Sequence, residues 1–396
     1  MMHSIMHAIF VDRVFTPQNE IADAVILIDG RKISAVGARN RIAIPPSALC
    51  RDARGLTAVP GFVDLHVHGA AGHDMMEGAP KALAAITAAL ARHGTTSLVA
   101  TTVTASEEST RHAIAACAAY MHSSAQPAPG TGPQAEILGV HLEGPFISSL
   151  RRGVHPLEWV VPPSVQLFQR LLAAGKSTVC ILTLAPELPG ALDLIDAARA
   201  NDVLVSMGHT DASYAEAMRA IDRGARHAAH VFNAMRPFAH RDTGVVGAVL
   251  TAPSVMAELI ADGVHVDAAA MRILLAAKGL GGIILVSDGT AATGMPDGTY
   301  RLGTLEVTVS NGVSRSADGK LAGSTLTLDR ALRNVIALGV PFAYALSMLT
   351  ANPARALGLG GRKGTLAPGA DADLIFLDAQ NEVAGVMTRG VGWPDG

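Results

Sequence analysis

The chain has 396 residues, 49% hydrophobic, 16% charged and 4% aromatic, with a formal net charge of −3. This length suits two ordinary domains or one α/β barrel with a small companion. With no basic run, nucleic acid is not an expected partner; apolar runs such as Ile283 to Val286 stop far short of the ~20 residues that span a bilayer, so no membrane partner is expected either.

In chain order, the N-terminal MMHSIMHAIFVDRVF is interrupted by Asp12 and Arg13 where a signal peptide needs continuity, and a cytoplasmic location is expected. Residues 1–57 alternate in the β manner, with Asp29-Gly30 as a hairpin signal between two strands. From VPGFVDLHVHG onward the rhythm changes to short aliphatic strands followed by Ala-rich helical stretches, about eight times, ending with GGIILVSDGTA. Such alternation predicts a parallel sheet with helices outside, most economically a (β/α)8 TIM-type barrel over 58–359. The PAPGTGPQ stretch, Pro127 to Gln134, reads as a loop inside this alternation. Residues 360–396 return to β patterning, and both termini are expected to meet in a small β-sandwich domain. Cys50, Cys117 and Cys180 are widely separated and form no CxxC pair, so they read as buried small hydrophobes.

Reactive groups in such a barrel collect at the C-terminal ends of the strands. Polar residues that end or follow apolar runs are His66, His68, Glu143, His209, His230, His265 and Asp288. A carboxylate and two imidazoles, Glu143 in HLEGPF, His209 in SMGHT and His230 in AAHVFNAM, match the three ligands and one open position of a catalytic metal site. His66 and His68 share one side of a strand, because side chains alternate with period two, and extend the metal reading. Asp288 could cap a helix, but on a last barrel strand facing a metal it reads as a general acid/base. Asp64, on the same face as His66, reads either as a partner of a histidine or as a buried structural carboxylate.

Other residues receive plainer readings. His93, His112, His122 and His227 are placed in or at the ends of helical stretches without function, and Met75, Met76, Met207 and Met235 in packing. His73 is a candidate for the site entrance, and His240, beside Arg241, is left open.

The run of motifs PGFVDLHVHG, HLEGPF, GHT, HVFNAM, ADGVHV, VSDGTA, LAGSTLTLDRALRN and ANPARALGL resembles the amidohydrolase superfamily, and within it the N-acetylglucosamine-6-phosphate deacetylase family, in order and spacing almost from end to end. The absence of a strand-ending lysine between His68 and His209 fits, because Glu143 takes the bridging place. The resemblance implies that Glu143, His209 and His230 bind the principal ion and that His66 and His68 complete a second site, so that one or two divalent ions, zinc or iron, are expected per subunit. It implies sugar-phosphate contacts at Val154, His155, Asn233, Ala234, Arg241, His265, Leu321, Ala322 and Gly323, and a homodimer in which Arg241 reaches the neighbouring site. The implied reaction is hydrolysis of an acetamide by metal-activated water, with Asp288 as base and then acid and His265 assisting at the carbonyl. Two alternatives stand beside it: an amidohydrolase for N-acyl amino acids or cyclic amides, and a catalytically dead barrel used as a scaffold. The intact set of candidate ligands argues against the second.

Overall fold

Eight short parallel strands form the centre of the computed structural model, which describes residues 6–16, 19–123 and 132–392. They are Phe62–Val67, Thr95–Thr102, Glu136–Glu143, Val179–Leu184, Leu204–Met207, His227–Ala228, Met256–Leu259 and Ile283–Leu285. Each pairs in parallel with its neighbour in sequence. The ring is closed just past the eighth strand, where the Asp288 N–H donates to the His66 carbonyl at 2.9 Å and the His68 N–H donates to the Gly289 carbonyl at 2.8 Å. This seam sets Asp288 beside His66 in the first strand and His68 just past its end.

Helices follow the strands, beginning with Pro80–Ala91 and Glu107–Ser123. Their small alanine faces pack on the aliphatic strands, and local signals set their ends: Ser213 and Glu216 form a reciprocal capping box at the start of Tyr214–Arg223, satisfying backbone donors that the first turn leaves free. The expected (β/α)8 barrel is thus present.

The termini meet in one six-stranded sheet. Val383–Met387 and Leu374–Leu377 add to Leu49–Pro60, which is followed by Met6–Phe15, Glu20–Asp29 and Lys32–Ala38. Asp29-Gly30 makes the expected turn, with Gly30 at φ 57°. The sandwich takes the form of this single hydrogen-bonded sheet with apolar clusters on Ile26 and Phe376 and on Val25 and Leu27. Lys363 ties the C-terminal segment to the barrel: its buried Nζ lies 2.5 Å from Glu136 Oε2, 2.6 Å from Asp373 Oδ2 and 3.0 Å from Asp371 Oδ2.

Three features depart from the sequence reading. A three-stranded antiparallel sheet, Gly298–Leu302, Leu305–Ser310 and Val313–Ser316, interrupts the last unit before its helix Leu328–Ala337. His227 is not helical but lies fully buried in the sixth barrel strand, a strand too short to show alternation. Cys50 is exposed, whereas Cys117 is buried, because Cys50 sits in the outer part of a terminal strand. Residues 124–131, which include most of PAPGTGPQ, and the first five residues of the N-terminal segment lie outside the described residues. No described helix is long and apolar enough to cross a membrane.

Candidate metal centre and active site

Glu143 ends the third strand and is the hub of the barrel mouth. Its Oε1 lies 3.1 Å from His66 Nε2, 3.1 Å from His209 Nε2 and 2.9 Å from His230 Nε2. Its Oε2 lies 3.3 Å from His68 Nε2 and 3.4 Å from His155 Nε2. Asp288 Oδ1 adds a second carboxylate, 3.2 Å from His68 Nε2 and 3.6 Å from His66 Nε2.

The far side of each ring assigns its proton. His66 Nδ1 donates to Glu258 Oε2 at 2.9 Å, His68 Nδ1 to the Thr101 carbonyl at 3.2 Å, and His209 Nδ1 to the Arg151 carbonyl at 3.0 Å. In the neutral ring each therefore presents an Nε2 lone pair to the centre, the arrangement that orients imidazoles for a metal. His155 is the opposite case: its Nδ1 accepts the Thr104 N–H at 3.1 Å, so its proton is on Nε2. It points a donor, not a ligand, into the site.

These residues fit a divalent cation. His209 Nε2 and His230 Nε2 face each other at 3.2 Å, and His66 Nε2 is buried without a hydrogen-bond partner; lone pairs crowded in this way around carboxylates require positive charge between them. In the protein alone protons supply it. Burial disfavours a charged His68, but the hydrogen bonds its ring donates to Asp288 and Glu143 outweigh it and raise the imidazole to about 9. His209, where burial and the neighbouring His155 dominate, falls to about 4. Burial alone would raise Asp288, yet His68 and His66 hold it at about 2, an ionised carboxylate.

The backbone at the site is strained. His209, His230 and Asp288 have φ of 47°, 28° and 50°, in the left-handed region that costs non-glycine residues of order 1–3 kcal/mol each. The cost is tolerated because strand ends and turns place all three side chains in one mouth.

A cavity of about 180 Å³ opens over this cluster. Of the residues singled out in the sequence, it is lined by His68, Glu143, Val154, His155, His209, His230, Asn233, Ala234, His265, Asp288, Leu321 and Gly323. His66 lies beneath, with its ring fully buried, and Ala322 is buried behind the wall in an apolar cluster. His265 is held by Asp262, whose Oδ2 accepts from Nδ1 at 2.7 Å and whose Oδ1 accepts the Val264 and His265 N–H groups. Arg241 and His240 are exposed and do not line the cavity. His73 pairs with Glu77 outside it.

Sequence reasoning gave no role to Glu258, His141 or the wall residues Val103 and Leu302. Glu258 is fully buried; its Oε2 accepts both from His66 Nδ1 and from the His230 N–H at 3.0 Å. Asp64, the carboxylate considered for a histidine, instead accepts the backbone N–H groups of His66 and Ser287 at 3.2 and 3.3 Å. His141, kept neutral by burial at about 3, bonds Thr183 Oγ1 at 2.7 Å. The signal for Glu258 was available: a lone acid inside the apolar run VMAELIA.

A parallel barrel whose C-terminal mouth gathers His, Glu and Asp side chains that could hold a metal ion defines the class of architecture, a barrel with a candidate metal centre. Residues 57–391 match the family model described as "Amidohydrolase family". The chain is 38% identical to an N-acetylgalactosamine-6-phosphate deacetylase of Escherichia coli O157:H7, covering 97% of this chain and 98% of that one. It is 34% identical to the N-acetylglucosamine-6-phosphate deacetylase of Bacillus subtilis (strain 168), over 95% and 94%. The structure of a variant Mycobacterium smegmatis N-acetyl-D-glucosamine-6-phosphate deacetylase in complex with N-acetyl-D-glucosamine-6-phosphate superposes with a TM-score of 0.90 at 37% identity, covering 98% and 99% of the two chains. The chain belongs to the amidohydrolase family and, within it, to the branch that holds these amino-sugar-phosphate deacetylases.

Proposed function

We propose that the protein hydrolyses the acetamide of N-acetyl-D-glucosamine 6-phosphate to D-glucosamine 6-phosphate and acetate. The observation that carries this reading is the convergence on Glu143 of the Nε2 atoms of His66, His68, His209 and His230 beside an ionised Asp288, within a cavity lined by the residues that resemble the family's sugar contacts. Glu143, His209 and His230 would hold a principal divalent ion, and His66 and His68 a second; imidazole and carboxylate donors suit zinc or iron. When bound, such an ion polarises the amide carbonyl and lowers the pKa of water to about 7.

The chain's own residues supply the proton path. Asp288, ionised, takes the proton from the attacking water and returns it to the departing amine, which must leave neutral because an amide anion is too basic. His265, fixed by Asp262, assists at the carbonyl; His155 offers its Nε2–H. The backbone and side chains of Val154, Asn233, Ala234 and Leu321 to Gly323 orient the sugar. No lysine or arginine lines the cavity among the described residues, although a phosphate dianion needs a cationic partner; Arg241, exposed on its loop, would supply one to the site of a second copy in a homodimer, where its fork can engage two oxygens.

The test is release of glucosamine 6-phosphate by purified protein, stripped of metal and then given zinc, iron or cobalt. Metal-restored turnover supports the reading, and no turnover by folded protein with any metal refutes it. N-acetylgalactosamine 6-phosphate is assayed in parallel, because a relative of comparable similarity carries that name; a higher kcat/KM for it would move the assignment to the 4-epimer.

A further inference from the structure

One side of the catalytic cavity is apolar, and the inserted hairpin contributes Leu302 to it. Leu302 meets Val103 and Val154 in a cluster that also holds Ala322 and Val307, and all three line the cavity beside His155. Behind this wall is a small void of about 10 Å³, shared by Val103, Val154, His155 and Leu302. Beyond the void, across Thr304, opens a groove of about 630 Å³ between the insert and the loops that follow the first two barrel strands. Leu302 therefore separates the reacting cavity from free volume.

The plug is held in place from two sides. Leu302 pairs with Leu305 across a two-residue turn, and Gly303, at φ 57°, lies so close to the second strand that a Cβ there would come within 2.5 Å of Val103 Cγ2. Its N–H donates at 2.9 Å to Oδ2 of buried Asp74, whose Oδ1 accepts the Met76 N–H at 2.7 Å.

Taken with the deacetylase reading, on which this rests, the chemistry of the substrate assigns the wall. A sugar phosphate bears hydroxyls, a phosphate and one apolar end, the acetyl methyl. The polar lining serves the former; Val103, Val154 and Leu302 are the matching apolar surface, and they adjoin His155, whose Nε2 lies 3.4 Å from Glu143 Oε2 at the reacting end. We propose that Leu302, backed by Val103 and Val154, limits the acyl group to acetyl, and that removing its side chain opens the site into the groove for longer acyl chains.

The experiment compares kcat/KM for N-acetyl-, N-propionyl- and N-butyryl-glucosamine 6-phosphate in the metal-loaded wild type, Leu302→Ala and Leu302→Val. One added methylene against a closed apolar wall is expected to disfavour propionyl by about 10- to 200-fold in the wild type. Leu302→Ala should recover most of that ratio and admit butyryl, with Leu302→Val between; the valine variant, short by one methylene, also carries the test if alanine does not fold. A wild type that takes propionyl as well as acetyl, or a folded variant with an unchanged acyl ratio, overturns the proposal while leaving the deacetylase reading intact. Failure of the wild type on the acetyl substrate would instead overturn that reading, and this one with it.

Discussion

Glu258→Gln isolates what a buried carboxylate does for a metal centre it does not touch. Its Oε2 accepts the His66 Nδ1–H at 2.9 Å and the His230 N–H at 3.0 Å, and His66 and Glu258 are both fully buried. Burial would raise this acid, but His66 and then His227 hold it at about 2. An ionised Glu258 makes the His66 ring a better electron-pair donor at Nε2. Glutamine preserves the volume and one acceptor oxygen but removes the charge. Alanine would also leave two buried donors unsatisfied, at about 1–3 kcal/mol each, and so mixes folding with function. Loss of such an outer partner lowers metal affinity about 10- to 100-fold, or about 1.4–2.7 kcal/mol. Competition for zinc against a chromogenic chelator reads this without turnover, with circular dichroism to check the fold. Asp64→Asn serves as the contrast, because Asp64 Oδ1 accepts the His66 and Ser287 backbone N–H groups and no histidine ring, and burial pushes the acid up to about 7; it should leave zinc affinity within a few-fold. Equal affinity for wild type and Glu258→Gln would refute the reasoning and reduce Glu258 to a structural acceptor.

Asp288→Asn should lower kcat by about 10²- to 10⁴-fold, the usual worth of a positioned acid/base, with zinc content and KM little changed; near-normal kcat would remove Asp288 from the proton path. Arg241→Ala should raise KM for N-acetylglucosamine 6-phosphate far more than for N-acetylglucosamine, and equal losses on both would place the phosphate elsewhere. Lys363→Met should destabilise the fold by about 3–5 kcal/mol by leaving buried Asp373 without its cation, Glu136 and Asp371 keeping Arg362, read as a fall in the urea midpoint. Burial disfavours the Lys363 ammonium, but Asp373, Glu136 and Asp371 raise its pKa above the ordinary lysine value. Its stabilisation is then complete below about 10.4 and lost as pH rises through the folded value, so the wild type should lose stability in that alkaline range and Lys363→Met should show a flatter profile there. Parallel alkaline profiles would contradict this.

The alternation of aliphatic runs with Ala-rich stretches was enough to expose the barrel, because a parallel strand buried on both faces is written as a short continuous apolar run. Residues at the ends of those runs were visible for the same reason: the barrel's geometry carries strand ends into one mouth, and His68, Glu143, His209, His230 and Asp288 line one cavity. The insert was legible but passed over. TYRLGTLEVTVSNGVSRS alternates and contains Asn311-Gly312, a hairpin signal, yet after the eighth unit the helical rhythm led the reading onward to LDRALRN. Ala322 shows a limit of motif matching, since LAGS borders the cavity through Leu321 and Gly323 while the alanine methyl faces the apolar cluster behind it.

Glu258 marks a harder boundary. An acid between Ala257 and Leu259 in an apolar strand is conspicuous, because a buried charge is retained only when paired, so the sequence can show that partners must exist. It cannot name them by proximity: His66 is 192 positions away, and Asp64, two residues from His66, is the nearer carboxylate. The pleat decides between the two. Asp64 shares the face of His66 but is one pleat lower, and its Oδ1 turns to backbone donors at the seam with Ser287. The Nδ1 edge of the ring turns instead toward the seventh strand, where Glu258 can serve His66 and the His230 backbone with a single oxygen. That shared oxygen couples the two proposed metal positions, so loss of Glu258 should weaken both together, and sequential zinc titration of Glu258→Gln should show both affinities lowered and not one alone.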